Sequence, residues 1–123
     1  MANFITLTTH SDKRGALTVL EKVLDFDIKR IYYIYDVDDS TRGGHRHKIT
    51  KQAAICIAGS CEIFVNNGRE QKTFNLDSPD KCLVLETEDW HTMQNFSKNA
   101  ILLVVASENF DQADYIFEPY ENN

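Results

Sequence analysis

Short runs of β-branched and aromatic residues recur along this chain, each closed by a turn signal, and that rhythm limits the fold more than any other feature. Residues 29–36 read Lys-Arg-Ile-Tyr-Tyr-Ile-Tyr-Asp, a strand. Strand character returns at 45–48 and 52–58, where Gly59-Ser60 makes a tight turn. Residues 61–65 lead into Asn66-Asn67-Gly68, whose Asn-Gly pair is the strongest short hairpin signal, and 70–76 form the partner strand. A loop at 77–81 contains Pro79, a strand follows at 82–85, and a polar turn at 86–90 leads to 91–96. The run 100–106, Ala-Ile-Leu-Leu-Val-Val-Ala, reads as buried on both faces. Short strands at roughly eight-to-twelve-residue spacing predict an all-β antiparallel sandwich or barrel. Such a barrel has a narrow mouth that holds one small ligand. The run at 100–106 needs cover outside the barrel, and a second subunit is one way to provide it.

The rest of the chain is less regular. Residues 1–9 alternate weakly through Phe4, Ile5 and Leu7, and 10–15 read as a polar turn. The segment 16–24 has two readings: a helix with Asp12 as N-cap, or a strand followed by a loop. Residues 37–44 form a loop, and 108–123 are polar with spaced aromatics, strand or loop. No repeat or linker interrupts 1–123, which reads as one domain.

A net charge of −6 disfavours generic binding to nucleic acid or an anionic membrane. Cys56, Cys61 and Cys82 are odd in number and lack a CxxC, so they read as reduced core thiols. There is no signal-peptide pattern and no apolar run of membrane-spanning length, so a cytoplasmic protein is expected.

Chemistry concentrates in Arg42-Gly43-Gly44-His45-Arg46-His47-Lys48. On a strand, residues two apart share a face, so His45 and His47 project side by side. Two imidazoles in one cavity make a metal site or an acid/base pair. The neighbouring cations suit an anionic substrate within an otherwise acidic chain. A later His91, in Asp89-Trp90-His91-Thr92-Met93-Gln94-Asn95, can reach the same cavity from a distant strand. Three histidines can bind a divalent metal, but no carboxylate follows at 49–52, and Arg46, Lys48 and Lys51 would repel a cation.

His-x-His and the later His-x-x-x-Asn together resemble the two motifs of cupins. A closer resemblance runs through Asp12-Lys13-Arg14-Gly15-Ala16-Leu17, Arg30-Ile31-Tyr32-Tyr33-Ile34-Tyr35 and 42–48. It continues through Gln52, Gly59-Ser60-Cys61, Leu76-Asp77-Ser78-Pro79, Trp90-His91-Thr92-Met93, Ala106-Ser107 and Asp114-Tyr115-Ile116. This ordered set is similar to the sugar 3,4-ketoisomerases, isomerases acting on dTDP-4-keto-6-deoxyglucose. The resemblance implies a homodimer of cupin-type jelly-roll barrels with exchanged N-terminal strands, no metal and no organic cofactor. It also favours strand-then-loop for 16–24. Arg46 departs from the small residue common there, and such a long cation should point away from the histidine face.

Moving a ketone from C4 to C3 requires removal of the C3 proton, an enediol, and return of a proton at C4. Within that chemistry His45 is expected to be the base and His47 its partner, polarising an oxygen or moving a proton. Tyr33 and Tyr35 share one strand face and Tyr32 takes the other. Tyr33 is taken as an acid and Tyr35 as a substrate contact. Arg14, contributed by the neighbouring subunit, and Arg42 are candidates for the diphosphate, and Gln52 for a substrate hydrogen bond. In the resembled family, Arg and His at positions 14 and 91 accompany the galacto-configured 3-keto product. The product would feed a 3-amino-3,6-dideoxy sugar for a surface glycan such as a lipopolysaccharide O-antigen. The other readings are a metal-dependent small cupin using His45, His47 and His91, and a non-catalytic sugar-nucleotide-binding cupin.

Overall fold

Period-two alternation within each apolar run gives every strand one face for a shared interior, and two sheets close over it. In the computed structural model, which describes residues 1–121, one sheet has the spatial order β1 (Asn3–Thr6), β9 (Lys81–Leu85), β6 (Gln52–Ala58), β11 (Ile101–Ala106), β4 (Arg30–Ile34). The other runs β12 (Tyr115–Ile116), β5 (Arg42–His47), β10 (Trp90–Gln94), β7 (Cys61–Asn66), β8 (Gln71–Leu76). The pairings are antiparallel, as the sequence pattern predicts for a jelly-roll barrel. The last two residues of the 108–123 segment, Asn122 and Asn123, lie outside the described residues.

The interior holds Ala54, Cys56, Cys61, Ile63, Val65, Phe74, Leu76, Leu83, Leu85, Met93, Leu102 and Val104, all buried. Each large member contributes about 1.5–3 kcal/mol of apolar transfer energy. Along β4 the pattern is Arg30, Tyr32 and Ile34 inward, Ile31 and Tyr33 outward. The Asn-Gly signal does close the β7–β8 hairpin, through a longer loop than a two-residue turn. The Asn67 side chain accepts hydrogen bonds from the Arg69 and Glu70 N–H groups at 2.9 Å each.

Val105, on the outer face of β11, joins a second cluster with Leu7, Ala53, Ile55 and Cys82. Leu20, Leu24 and Phe26 pack against it. So this chain's own segment after β3 supplies part of the cover that the 100–106 run demands. Farther along the same face, Ile31, Tyr33 and Ile57 stay exposed.

The N-terminal segment departs from the sequence reading at one place. Residues 10–12 extend β2 (Thr8–Asp12), which pairs only with β3 (Gly15–Val19). This hairpin belongs to neither large sheet and is exposed along most of its length, so it carries no apolar alternation for pattern reading to detect. Its turn is tied by Asp12, whose carboxylate accepts the Arg14 N–H at 2.8 Å. Asp12 therefore ends a strand and ties its turn instead of capping a helix, and 16–24 is strand then loop.

Candidate active site

Two glycines decide how the histidine strand meets its neighbour. Gly43 and Gly44 have φ of +84° and +87°, conformations that side chains rarely adopt. A Cβ on Gly43 would stand 3.0 Å from the His91 carbonyl oxygen. The pairing of β5 with β10 shifts register here: His45 faces His91, while Gly43 already faces Thr92. Gly44 is thus the extra residue of a bulge, which re-aims the strand beyond it. His45 and His47 then share the inner face with ring centroids 5.0 Å apart, and His91 lies 5.0 Å from His45. Arg46 points the other way, its guanidinium 4.6 Å from the Tyr120 ring, as expected for a cation between two inward residues.

Two of the three imidazoles, His47 and His91, have one nitrogen engaged by the protein. His47 Nδ1 is 2.8 Å from an Asp114 carboxylate oxygen. That carboxylate also accepts the Ile49 N–H at 2.7 Å, the Lys48 N–H at 3.0 Å and the Thr50 hydroxyl. Burial works against ionisation of Asp114, but the bonds from Thr50, Ile49 and His47 outweigh it and hold the carboxyl at about 2. His91 Nδ1 meets the Asp89 carbonyl oxygen at 3.0 Å. The remaining nitrogens of His47 and His91 are buried with no protein partner.

Burial pushes His45 down to about 3, helped by the adjacent His91 and His47, and pushes fully enclosed His91 to about 4. His47 is also lowered by burial, with Asp114 opposing the shift. At neutral pH the cluster is uncharged, and His45 stands as a free base.

His45 faces a cavity of about 250 Å³ lined by Arg30, Tyr32, Ile34, Arg42, Gly43, His45, Met93 and Tyr115. Across it, the Gln52 amide donates to the Tyr32 oxygen at 3.0 Å, which leaves the phenolic hydrogen free to point elsewhere. Desolvation raises the Tyr32 pKa, against the Gln52 bond, and keeps the phenol protonated. The cavity pairs a bare imidazole with a phenol and two guanidinium groups. Such a set is chemically equipped to move a proton on an anionic substrate.

The family model described as "FdtA: WxcM-like, C-terminal" matches residues 1–122. A TDP-4-oxo-6-deoxy-alpha-D-glucose-3,4-oxoisomerase from Aneurinibacillus thermoaerophilus is 39% identical over 114 residues, 90% of this chain and 81% of that protein. A 3,4-ketoisomerase from Helicobacter canadensis has a TM-score of 0.91 at 42% identity, covering 95% of this chain and 90% of that one. A mutant of the 3,4-ketoisomerase QdtA from Thermoanaerobacterium thermosaccharolyticum, solved in complex with TDP-4-keto-6-deoxyglucose, also reaches 0.91, at 40% identity and covering 95% and 87% of the two chains. The chain belongs to the FdtA family of sugar 3,4-ketoisomerases.

Within that family frame, the sequence-derived residues separate into four groups. His45 and Arg42 line the cavity, while His47, His91 and Gln52 sit buried behind its wall. Tyr33 and Tyr35 do not reach it. They are 62% and 58% exposed and stack on each other outside the barrel, rings 6.0 Å apart. Strand parity left either face possible, and Tyr32 is the tyrosine that packs against the core and lines the cavity. Arg14 sits at the tip of the free hairpin, 85% exposed and bound to Asp12 at 2.6 Å, outside the cavity lining of its own chain.

Sequence reasoning missed four residues: Tyr32 as the inward tyrosine, Arg30, Asp114 and Tyr115. Arg30 was readable by the same parity, since it shares the face of Tyr32. Tyr115 packs 4.6 Å from His45 and 4.7 Å from His47. Among the described residues, no three His, Cys, Asp or Glu side chains are arranged to hold a metal ion.

Proposed function

We propose that this protein is a TDP-4-keto-6-deoxyglucose 3,4-ketoisomerase that works by proton transfer through histidine. The carrying observation is free-base His45 facing a cavity whose other wall presents the Tyr32 hydroxyl. His45 takes the C3 proton, and the electrons of that bond form the enediolate with charge on O4. Tyr32 donates to O4. Collapse of the enediol then returns the proton from His45 to C4, while the O3 proton leaves as the C3 ketone forms and restores the phenol. Atoms and charge balance with no oxidant or reductant. Tyr32 takes the acid role that the sequence reading gave Tyr33.

Arg42 at the cavity suits the diphosphate, and the substrate held by a close structural relative supports the same ligand class here. Arg14 completes the site from a second copy of the chain, in a homodimer with exchanged N-terminal strands. Its position on a hairpin that pairs with neither sheet supports this reading. Arg14 together with His91 favours the galacto-configured product, made in the cytoplasm for a 3-amino-3,6-dideoxy sugar of a surface glycan.

The test is proton NMR of TDP-4-keto-6-deoxyglucose with chelator-treated protein. Growth of a 3-keto species above the slow background is expected, with ring couplings at C4 reporting the galacto configuration. A spectrum that stays at background without metal and recovers with a divalent cation would favour the metal-dependent reading. Binding without turnover under either condition would favour the binding module.

A further inference from the structure

The base in this site must become a cation, and the cavity offers it almost nothing negative. Arg30 and Arg42 line the cavity, and His91 and His47 flank His45 as neutral rings whose presence opposes a charge there. The groups facing His47 are His45 on its own strand, His91 from β10, Tyr115 and Asp114 from the C-terminal segment, and Arg30 from β4. Asp114 is the carboxylate in that set. It is buried and receives four hydrogen-bond donors from the 47–50 segment, so it is held in place and held ionised.

A carboxylate accepts and does not donate, so its contact with Nδ1 places the hydrogen of neutral His47 on Nδ1. Nε2 is then a bare acceptor, buried and without a protein partner. In the opposite tautomer, two acceptors would face each other across 2.8 Å in a buried site. We infer that Asp114 is a positioning residue for catalysis: it fixes His47 in the Nδ1–H tautomer and supplies the counter-charge for the imidazolium formed when His45 takes the C3 proton. This rests on the ketoisomerase reading, and it adds no bond change to the steps above. The His47 Nδ1 hydrogen stays in its bond to Asp114 while the proton moves between C3, His45 and C4.

Two measurements test it. The first is nitrogen-15 NMR of the imidazoles in the wild-type protein at neutral pH. The expected spectrum has His47 with hydrogen on Nδ1 and none on Nε2; hydrogen on Nε2 would overturn the inference. The second is Asp114→Asn, which keeps an oxygen acceptor and removes the charge. We expect kcat to fall about 10- to 100-fold with KM little changed, from the usual size of acid–base contributions. The acid limb of kcat should move to lower pH, because the imidazolium has lost its counter-charge. A folded variant with wild-type kcat and an unmoved limb would overturn the counter-charge role. A variant that fails to fold leaves the wild-type NMR result to decide. Wild-type protein that shows the Nδ1–H tautomer yet never converts substrate would count against the ketoisomerase reading and leave the Asp114–His47 geometry standing.

Discussion

The cavity wall around His45 and the hairpin that carries Arg14 are built on opposite terms. In the wall, β5, β10 and the C-terminal segment gather three imidazoles, the Asp114 carboxylate and the Asp89 carbonyl hold two of them, and burial removes their charge. On the hairpin, Arg14 is solvent-exposed, is paired to nearby Asp12, and sits in the turn between strands that pair only with each other. In the proposed mechanism the proton-moving groups all stand within one chain, whereas Arg14, proposed for the anion, stands on a hairpin that joins neither large sheet. Acid–base chemistry needs tautomers fixed in a dry setting, whereas a phosphate contact needs only a guanidinium delivered to the right place.

Mixing chains gives the largest expected contrast. His45→Asn should lower turnover about 10²–10⁴-fold, the usual worth of a positioned base. Arg14→Ala should lower kcat/KM roughly 10- to 100-fold through loss of charge-assisted bonds to the diphosphate. If Arg14 serves the partner's cavity, equal parts of the two variants, unfolded and refolded together, should recover about a quarter of wild-type activity by random pairing. No recovery in verified mixed dimers would place Arg14 in its own chain's site, or in none.

A smaller effect separates the two faces of β4. Tyr32→Phe should cut kcat at least about tenfold while nucleotide binding survives, by loss of the donor at O4. Tyr33→Phe should leave kcat within about twofold, since its ring lies outside the barrel. The reverse order in steady-state assays would return the acid role to Tyr33.

The smallest effect is on stability. His45 and His91 have folded pKa values of about 3 and 4, below their ordinary value, so the unfolded chain binds protons first as pH falls. Stability should be fully present above about pH 6.5 and be lost from there down towards pH 4, by up to roughly 1.4 kcal/mol per pH unit for each group. Denaturant melts between pH 7 and 5 check this, and His91→Asn should flatten the slope. A midpoint unchanged over that range would mean that the imidazoles are not desolvated.

How much of this was legible follows from how local each signal is. The strand rhythm and the Asn-Gly loop are written in neighbouring residues, and both appear in the fold. The pair of histidines on one face follows from strand parity alone, and so does the outward Arg46. Parity says that Tyr32 opposes Tyr33, but which face is inward depends on the core that Leu102, Val104 and Ala54 build against β4 from other strands. The β2 strand hid because exposure on both faces erases apolar alternation. Asp114 lies 67 positions from His47, and a single carboxylate in a polar segment has no local mark of its partner.

If His45 moves the proton between C3 and C4, deuterium exchange reads that step directly. Chelator-treated wild-type protein and His45→Asn would each be incubated with TDP-4-keto-6-deoxyglucose in D2O and followed by NMR. Ring deuteration and a 3-keto species are expected with the wild type, and exchange at the protein-free background with a His45→Asn variant that still binds TDP. Exchange at the wild-type rate in that variant would contradict that role for His45 and assign the proton transfer to another group.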